Sequence, residues 1–415
     1  MNKPVKGSAI ASFFISPPRT MVGMKNEINI CYFQSGGPTA VINSSLYGVL
    51  KEAKKKGVRV YGSLNGIEGI INDNLIDLSS LDEATIELLP QTPGVVLGSS
   101  RKKMGDEPKI WDSILKTLQK HNISCVLPNG GNDSMDTCAK LGERLSSFGI
   151  RVVGIPKTID NDLDLTDHCP GFASAARHVI NQVKLISIDA HSYTKGKVVL
   201  IEVMGREAGW LAASADLLPE PYHPDLIHLP ESEFSEERFL HEVEEAYKRK
   251  GTCVAVLSEG IPVHHDVLAF YDSFGHVSQE GVALELGKLI NKKLGIGVRT
   301  VILSTPVRAN PYLVSKQDSQ EAIELGAKAL DSAFEGKTGV MMAIHRLSDE
   351  PYRYEIVPVP AKDVANKNRL FPKEWILSTS AFSPAFHAYL KPLLSGSIDI
   401  KTDEMGTFLA ASIKQ

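Results

Sequence analysis

Several short runs of the chain are almost continuously apolar and rich in β-branched residues: 28–37, 58–64, 123–131, 150–156, 197–205, 252–260 and 299–306. A strand with one wet face would alternate apolar and polar positions. Unbroken runs of this length predict strands covered on both faces. Between them lie stretches with helical spacing of apolar positions: 40–57, 133–149, 235–251 and 319–336, several closing on glycine as helix ends commonly do. Strand and helix alternate along most of the chain, the pattern of an α/β protein with mainly parallel sheets. No tract of linker composition divides the sequence, so its domains are expected to be intertwined.

Length and composition narrow this reading. At 415 residues the chain is long enough for two or three domains. It is 43% hydrophobic and 23% charged, which excludes wholesale disorder. The formal net charge is -4, so there is no overall basic footprint of the kind nucleic-acid binding leaves. No apolar run approaches the roughly 18 residues of a membrane span, and we expect no membrane partner. The five cysteines form no C-x-x-C pair and read as reduced, buried thiols of a cytoplasmic protein. Residues 1–23, with a Ser-broken apolar patch followed by Pro-Pro, read as a disordered extension ahead of the first strand.

In open parallel sheets ligands bind beyond the carboxyl ends of the strands, and there the chain concentrates its polar residues. Ser35-Gly36-Gly37-Pro38-Thr39 follows the first strand, and Gly130-Gly131-Asn132-Asp133-Ser134 follows a later one. Glycines let backbone N–H groups approach an anion, and a helix N-terminus favours negative charge. Either loop alone is equally a tight turn or a capped helix start, with Asp133 or Ser134 as the cap; two together suggest a phosphate cradle. Pro156-Lys157-Thr158-Ile159-Asp160-Asn161-Asp162 follows a third strand. If that segment is extended, Asp160 and Asp162 share a face with Thr158, and paired carboxylates suit a base beside a metal-binding or orienting group. Met204-Gly205-Arg206-Glu207, Glu259, Arg308 and, after a further expected strand, Arg101 in Leu97-Gly98-Ser99-Ser100-Arg101 repeat the strand-end pattern. Singly each reads as solvated filler. Together they suit phosphoryl transfer, which needs held phosphates, a base for the acceptor hydroxyl and a metal-binding carboxylate.

Taken in order, these motifs resemble those of the phosphofructokinases, from about residue 28 to about 330. The resemblance implies two intertwined Rossmann-like domains with the active site in the cleft between them: 24–165 with about 307–375 for the phosphate donor, and 166–306 with about 376–415 for the sugar phosphate. It implies Gly37 at the donor phosphate, Asp160 as base for the 1-hydroxyl of fructose 6-phosphate, and Asp162 as a carboxylate supporting Mg2+ and catalysis. Thr158, Ile159, Met204, Gly205, Arg206, Glu259 and Arg308 would bind the sugar phosphate, and Arg101 would stabilise the transferring phosphoryl group. Lys197 and Arg299 match cationic positions lent across a subunit interface, which implies a homodimer or homotetramer. Asp133 and Lys157 stand where ATP-using bacterial relatives have glycine and the pyrophosphate-dependent branch has Asp and Lys. The expected activity is therefore reversible, pyrophosphate-dependent phosphorylation of fructose 6-phosphate. An ATP-dependent enzyme and a catalytically silent sugar-phosphate-binding subunit are the alternatives. Two positions depart from the pattern. Asn132 replaces an Asp commonly assigned to magnesium, and Thr305 replaces a His or Tyr of relatives.

Overall fold

The computed structural model describes residues 28–100, 102–193, 196–263 and 281–413. Arg101 and the 1–23 extension therefore lie outside the described residues. Two sheets organise the chain. The larger has seven strands in the order β11-β10-β5-β4-β1-β2-β3, with β1 Asn29–Gln34, β2 Arg59–Ser63, β3 Leu75–Asp77, β4 Ile123–Gly130, β5 Arg151–Pro156, β10 Val340–Asp349 and β11 Tyr352–Pro360. The smaller has the order β7-β8-β6-β9, with β6 Val198–Val203, β7 Leu226–His228, β8 Cys253–Ser258 and β9 Val298–Leu303. Within these two sheets all strand pairs are parallel except β2–β3 and β10–β11, at the two edges of the larger sheet, and Ile376–Ser378 with Ala381–Phe382 form a separate small antiparallel pair.

Most of the continuous apolar runs do what their pattern predicts, but the 299–306 run forms β9 at the edge of the smaller sheet and is only partly buried. In β1 all six residues are buried. Ile30 and Tyr32 face a core shared with the helices Ile42–Lys56 and Lys316–Phe334, while Cys31 and Phe33 face one shared with Pro108–Lys120 and Asn132–Leu145. The alternation repeats in β6. Val199, Ile201 and Val203 pack with the helix Phe172–Ala190, and Val198 and Leu200 with the helices Glu236–Lys250 and Val282–Leu294. Period-two side chains on strands covered twice thus give each sheet two cores. Gly57 and Gly251 close their helices in the left-handed conformation (φ 66° and 74°).

Two features depart from the sequence reading. The stretch before Leu97-Gly98-Ser99-Ser100 is a turn, not a strand. Its backbone is tied at isolated points, Leu97 N to Gln34 Oε1 (3.2 Å) and Asn65 N to Leu97 O (2.8 Å), and no ladder forms. The β10–β11 hairpin has no clear strand signal in the sequence, because its strands are partly exposed and mix charged with apolar residues. Beyond the hairpin, Phe371, Phe382, Phe386 and Leu390 pack in the smaller sheet's core. Ala411 packs in the larger sheet's core, where Gln91 holds Lys401 O and Leu409 O.

Candidate active site

The carboxyl ends of β1, β4, β5, β6, β8 and β9 converge on one cleft of about 570 Å³. Gly37, Asn132, Asp133, Lys157, Thr158, Ile159, Asp160, Asp162, Met204, Arg206, Glu259 and Arg308 all line it.

One wall is made largely of backbone. After β1, Ser35 N donates to Asn129 O (2.9 Å) and Gly36 N to Ser100 O (3.3 Å), and Ser99 Oγ donates to Gly36 O (2.7 Å). Gly36 has φ +78°, a conformation that glycine adopts without strain. The Asn132–Leu145 helix points its N-terminus into the cleft, with Gly131 as N-cap and no side-chain cap. Asp133 and Ser134 therefore do not cap it: they lie inside the first turn. The Asp133 carboxylate is exposed at the cleft edge, 3.2 Å from Lys103 Nζ. Lys157 is 4% exposed, and its ammonium donates to Gly37 O (2.7 Å), so a buried positive charge sits beneath the glycine loop. Asn132 Nδ2 donates to Asn368 Oδ1 (3.0 Å). Asn132 Oδ1 is buried with no hydrogen-bond partner among the described residues.

The floor is the segment after β5, and it is not extended. Asn161, between the two aspartates, has φ +56° and is fully buried. Its Oδ1 accepts from Cys169 N (3.0 Å) and its Nδ2 donates to Tyr389 Oη (3.0 Å). Asp160 and Asp162 both reach the cleft, but through this left-handed turn rather than through strand alternation. Asp160 N donates to Thr158 Oγ1 (3.1 Å). Burial, with Asp162 and Glu259 adding negative charge, pushes the Asp160 carboxyl up to about 7 against the opposing pull of Lys157 and Arg308. The Asp162 carboxyl is also raised by burial, with its own backbone N–H, the Thr158 hydroxyl, Lys157 and Arg369 acting the other way. Ile159 anchors the turn in the smaller sheet's core.

The opposite wall belongs to the smaller sheet. Glu259 N donates to Val203 O (2.9 Å), and Glu259 Oε1 accepts from Gly205 N (3.3 Å), which locks the Met204–Glu207 loop to the end of β8. A Cβ on Gly260 would stand 1.9 Å from Arg206 O, so only glycine permits that approach. Arg308 closes the short 3-10 turn Thr305–Arg308. Its guanidinium reaches across the cleft, within 3.3 Å of where a Cβ on Gly37 would stand. Lys197 and Arg299 are elsewhere. Lys197 precedes β6, Arg299 pairs with Val199 at the amino end of the sheet, and the cleft lies past the far ends of those strands, about 20 Å away at about 3.3 Å per residue. Lys197 lies over the Tyr193 ring, and Arg299 faces Asp189 at 3.6 Å.

Sequence reasoning missed Lys102, Lys103 and Asn368 as cleft residues, and Arg369 behind it. The lysines directly follow the Leu97–Arg101 motif, and that adjacency is their local signal. Asn368 and Arg369 carry no local signal. Among the described residues no group of three or more His, Cys, Asp or Glu side chains could hold a metal. Asp162 and the unpartnered Asn132 oxygen would suit a hard cation that brings phosphate oxygens with it.

Comparison with known proteins agrees with this geometry. Residues 29–333 match the phosphofructokinase family, and the chain belongs to it. It is 37% identical over 401 residues to the pyrophosphate–fructose 6-phosphate 1-phosphotransferase of Xanthomonas campestris pv. campestris strain B100, covering 93% of this chain and 96% of that one. It is 36% identical to the Halomonas elongata protein of the same name, covering 89% and 92%. The crystal structure of the pyrophosphate-dependent phosphofructokinase from Marinobacter aquaeolei superposes with a TM-score of 0.84 at 34% identity, over 93% of this chain and 96% of that one.

Proposed function

We propose that this chain transfers a phosphoryl group from pyrophosphate to the 1-hydroxyl of fructose 6-phosphate, reversibly, giving fructose 1,6-bisphosphate and orthophosphate. The observation that carries it is the pair of crowded carboxylates, Asp160 and Asp162, between an anion-binding backbone wall holding Lys157 and a second wall holding Arg206, Glu259 and Arg308. The larger sheet's side of the cleft takes the donor and the smaller sheet's side takes the sugar phosphate.

Asp160 removes the hydroxyl proton as the sugar oxygen attacks the terminal phosphorus. A carboxyl near 7 is matched to that task at neutral pH. The oxygen–phosphorus bond to the sugar forms, the bridging bond of pyrophosphate breaks, and the leaving orthophosphate takes the electron pair. The Gly37 backbone amide, the 132–145 helix N-terminus and Lys157 hold the donor charge. Arg206, Glu259 and Arg308 orient the sugar phosphate, with Arg101 assigned to the transferring group by resemblance. Asp162, with Asn132 as a weaker neutral ligand, would hold Mg2+, which supplies charge neutralisation on the phosphates. Lys197 and Arg299 are too far from their own cleft to serve it, which supports a homo-oligomer in which they complete a neighbour's site. All five cysteines are free and buried, which suits a reducing, cytoplasmic setting.

Asp133 selects the donor. Its carboxylate stands at the outer edge of the cradle, where a nucleotide's next phosphate would have to pass. Two like charges about 4 Å apart repel by about 1 kcal/mol in water and up to roughly 4 kcal/mol at an effective dielectric near 20, the larger figure applying only as a bound donor excludes water from this half-exposed carboxylate. Pyrophosphate ends short of that point. The test is turnover by the purified full chain with pyrophosphate, then with ATP. We expect pyrophosphate alone to support it. Equal rates with both donors would make the enzyme ATP-competent and remove the role given to Asp133, and turnover with neither would favour a silent sugar-phosphate-binding subunit.

A further inference from the structure

We propose that Arg369, which does not line the cleft, is the positioning residue for the aspartate pair, the clamp that holds the turn at Asn161 and through it fixes where Asp160 and Asp162 point. The proposal rests on the phosphoryl-transfer reading above for its kinetic arm only.

The turn that presents the two carboxylates is built on Asn161 at positive φ, a conformation that asparagine adopts more readily than other non-glycine residues but that still needs neighbours to fix it in place. Arg369 supplies the enforcement from several directions at once. Its backbone N donates to Asp162 O (2.7 Å). Its Nε donates to Asn161 O (3.2 Å), and one terminal nitrogen donates to Thr166 O (2.8 Å) and to Asp167 O. The other terminal nitrogen meets Tyr389 Oη (3.3 Å). The guanidinium lies over the Trp210 ring at 4.7 Å, and Trp210 Nε1 donates back to Arg369 O (3.2 Å). Tyr389 completes the clamp: its hydroxyl accepts from Asn161 Nδ2 and Arg369 and donates to Asp167 O (2.9 Å), which fully employs a phenol's hydrogen-bonding capacity.

The far end of the same loop is fastened independently. Arg346 and His168 hold the Asp167 side chain, and His168 Nε2 meets Glu321 (2.7 Å). What distinguishes Arg369 is that it reaches the carbonyls of Asn161 and Asp162's own peptide. Lysine could replace its charge but not its planar fork to several acceptors at once. The neighbouring residues tie the same strap to both walls: Asn368 holds Asn132 in the donor wall, and Phe371 N donates to Glu231, which also accepts from Gly209 N beside the Met204–Glu207 loop.

The experiment compares the unmodified full chain with Arg369→Lys and Arg369→Met. It reads steady-state kinetics with pyrophosphate and fructose 6-phosphate, and amide hydrogen exchange across 158–169 without substrates. Misplacing reacting groups by about 1 Å can cost about 10²-fold, so kcat should fall at least about tenfold in both variants. KM for both substrates should move less than about threefold, because no substrate contact is removed. Exchange across the loop should speed at least about tenfold while β1 and β6 stay protected. Wild-type kcat in Arg369→Met, a rise in KM with kcat unchanged, or an unchanged loop would each overturn the proposal. Full recovery by Arg369→Lys would replace the fork by charge alone and overturn it as stated. Should the Arg369 variants not fold, Tyr389→Phe removes only the hydroxyl bridge and should lower kcat several-fold with KM unchanged; wild-type kcat there overturns the clamp. If the unmodified chain turns over no pyrophosphate, the functional reading fails, and the exchange arm still decides the clamp.

Discussion

The donor wall and the catalytic turn face each other across one cleft, yet they are built in opposite ways. The wall proposed to take the donor is local: strand, glycines and helix follow one another within a dozen residues at Gly36-Gly37 and again at Gly130-Gly131, and much of what it turns to the cleft is backbone. The catalytic turn is assembled from afar. Asn161, which shapes it, is held by Arg369, 208 positions on, and by Tyr389, 228 positions on. A backbone-built site tolerates much change in side chains outside it. A side-chain-built site depends on each distant partner, because a carboxylate that must be both buried and aimed needs every neighbour in place.

The largest effect should come from the turn itself. Asp160→Asn removes the base and should lower kcat by about 10²–10⁴ while fructose 6-phosphate still binds. Because Asp160 titrates near 7, kcat/KM of the unmodified enzyme should fall about tenfold per pH unit below that point. The variant's residual rate should lack that limb. The stability effect has the opposite sign. The folded protein keeps a proton on this carboxyl that the unfolded chain releases near its ordinary value of about 4, so its contribution favours folding at low pH and is lost as pH rises from about 4 to about 7. At pH 8 the Asn variant should therefore melt about 2–5 °C higher. A lower melting point would mean that the charged carboxylate is held by favourable contacts rather than crowded.

A second, smaller effect should come from the donor wall. Asp133→Gly with Lys157→Gly removes the edge charge and the buried ammonium on Gly37 O. Pyrophosphate kcat/KM should fall by about 10²-fold and ATP turnover should appear, since charge-assisted contacts to phosphate are worth roughly 1.5–3 kcal/mol each. Loss of pyrophosphate use without any gain of ATP use would show that the cradle is too narrow for a nucleotide by shape rather than by charge.

The contrast between local and distant construction also accounts for what the sequence made legible. The parallel sheets, the two glycine loops and the strand-end placement of Lys157, Met204, Arg206, Glu259 and Arg308 follow from patterns a few residues long, and the family motifs fix their order. The conformation between Asp160 and Asp162 did not follow. Strand alternation was the wrong geometry: an asparagine between two aspartates is itself a turn-forming signal, but its holders Arg369 and Tyr389 lie too far along the chain to be read locally. The β10–β11 hairpin escaped for a related reason: its pairing is an edge, with one side in solvent and mixed residues on both strands. Lys197 and Arg299 could be found by resemblance, but only the register of β6 with β9 shows how far they stand from their own cleft.

The sugar wall is intermediate, and Gly260→Ala probes it. The added methyl would collide with Arg206 O, so the Met204–Glu207 loop must shift while Asp160 and the donor wall stay. We expect KM for fructose 6-phosphate to rise at least about tenfold with pyrophosphate KM nearly unchanged, the signature of lost substrate binding. Equal rises in both would mean that the two walls move together.

The smallest effect should be at Lys103, and it sharpens the comparison most finely. Lys103 and Asp133 form an ion pair at the cleft edge with both side chains more than half exposed, at 71% and 58%. Exposed pairs of this kind contribute about 0–1 kcal/mol and are screened by salt. If the donor is held chiefly by backbone amides and the buried Lys157, then Lys103→Ala should change pyrophosphate KM by no more than about threefold, and the difference should fade at high ionic strength. Donor choice should not change either, because the Asp133 carboxylate stays where it is with or without its partner. A loss of tenfold or more that persists in salt would mean that Lys103 leaves Asp133 and grips a phosphate oxygen when the donor binds. The donor wall would then depend, like the catalytic turn, on a side chain that no backbone pattern announces.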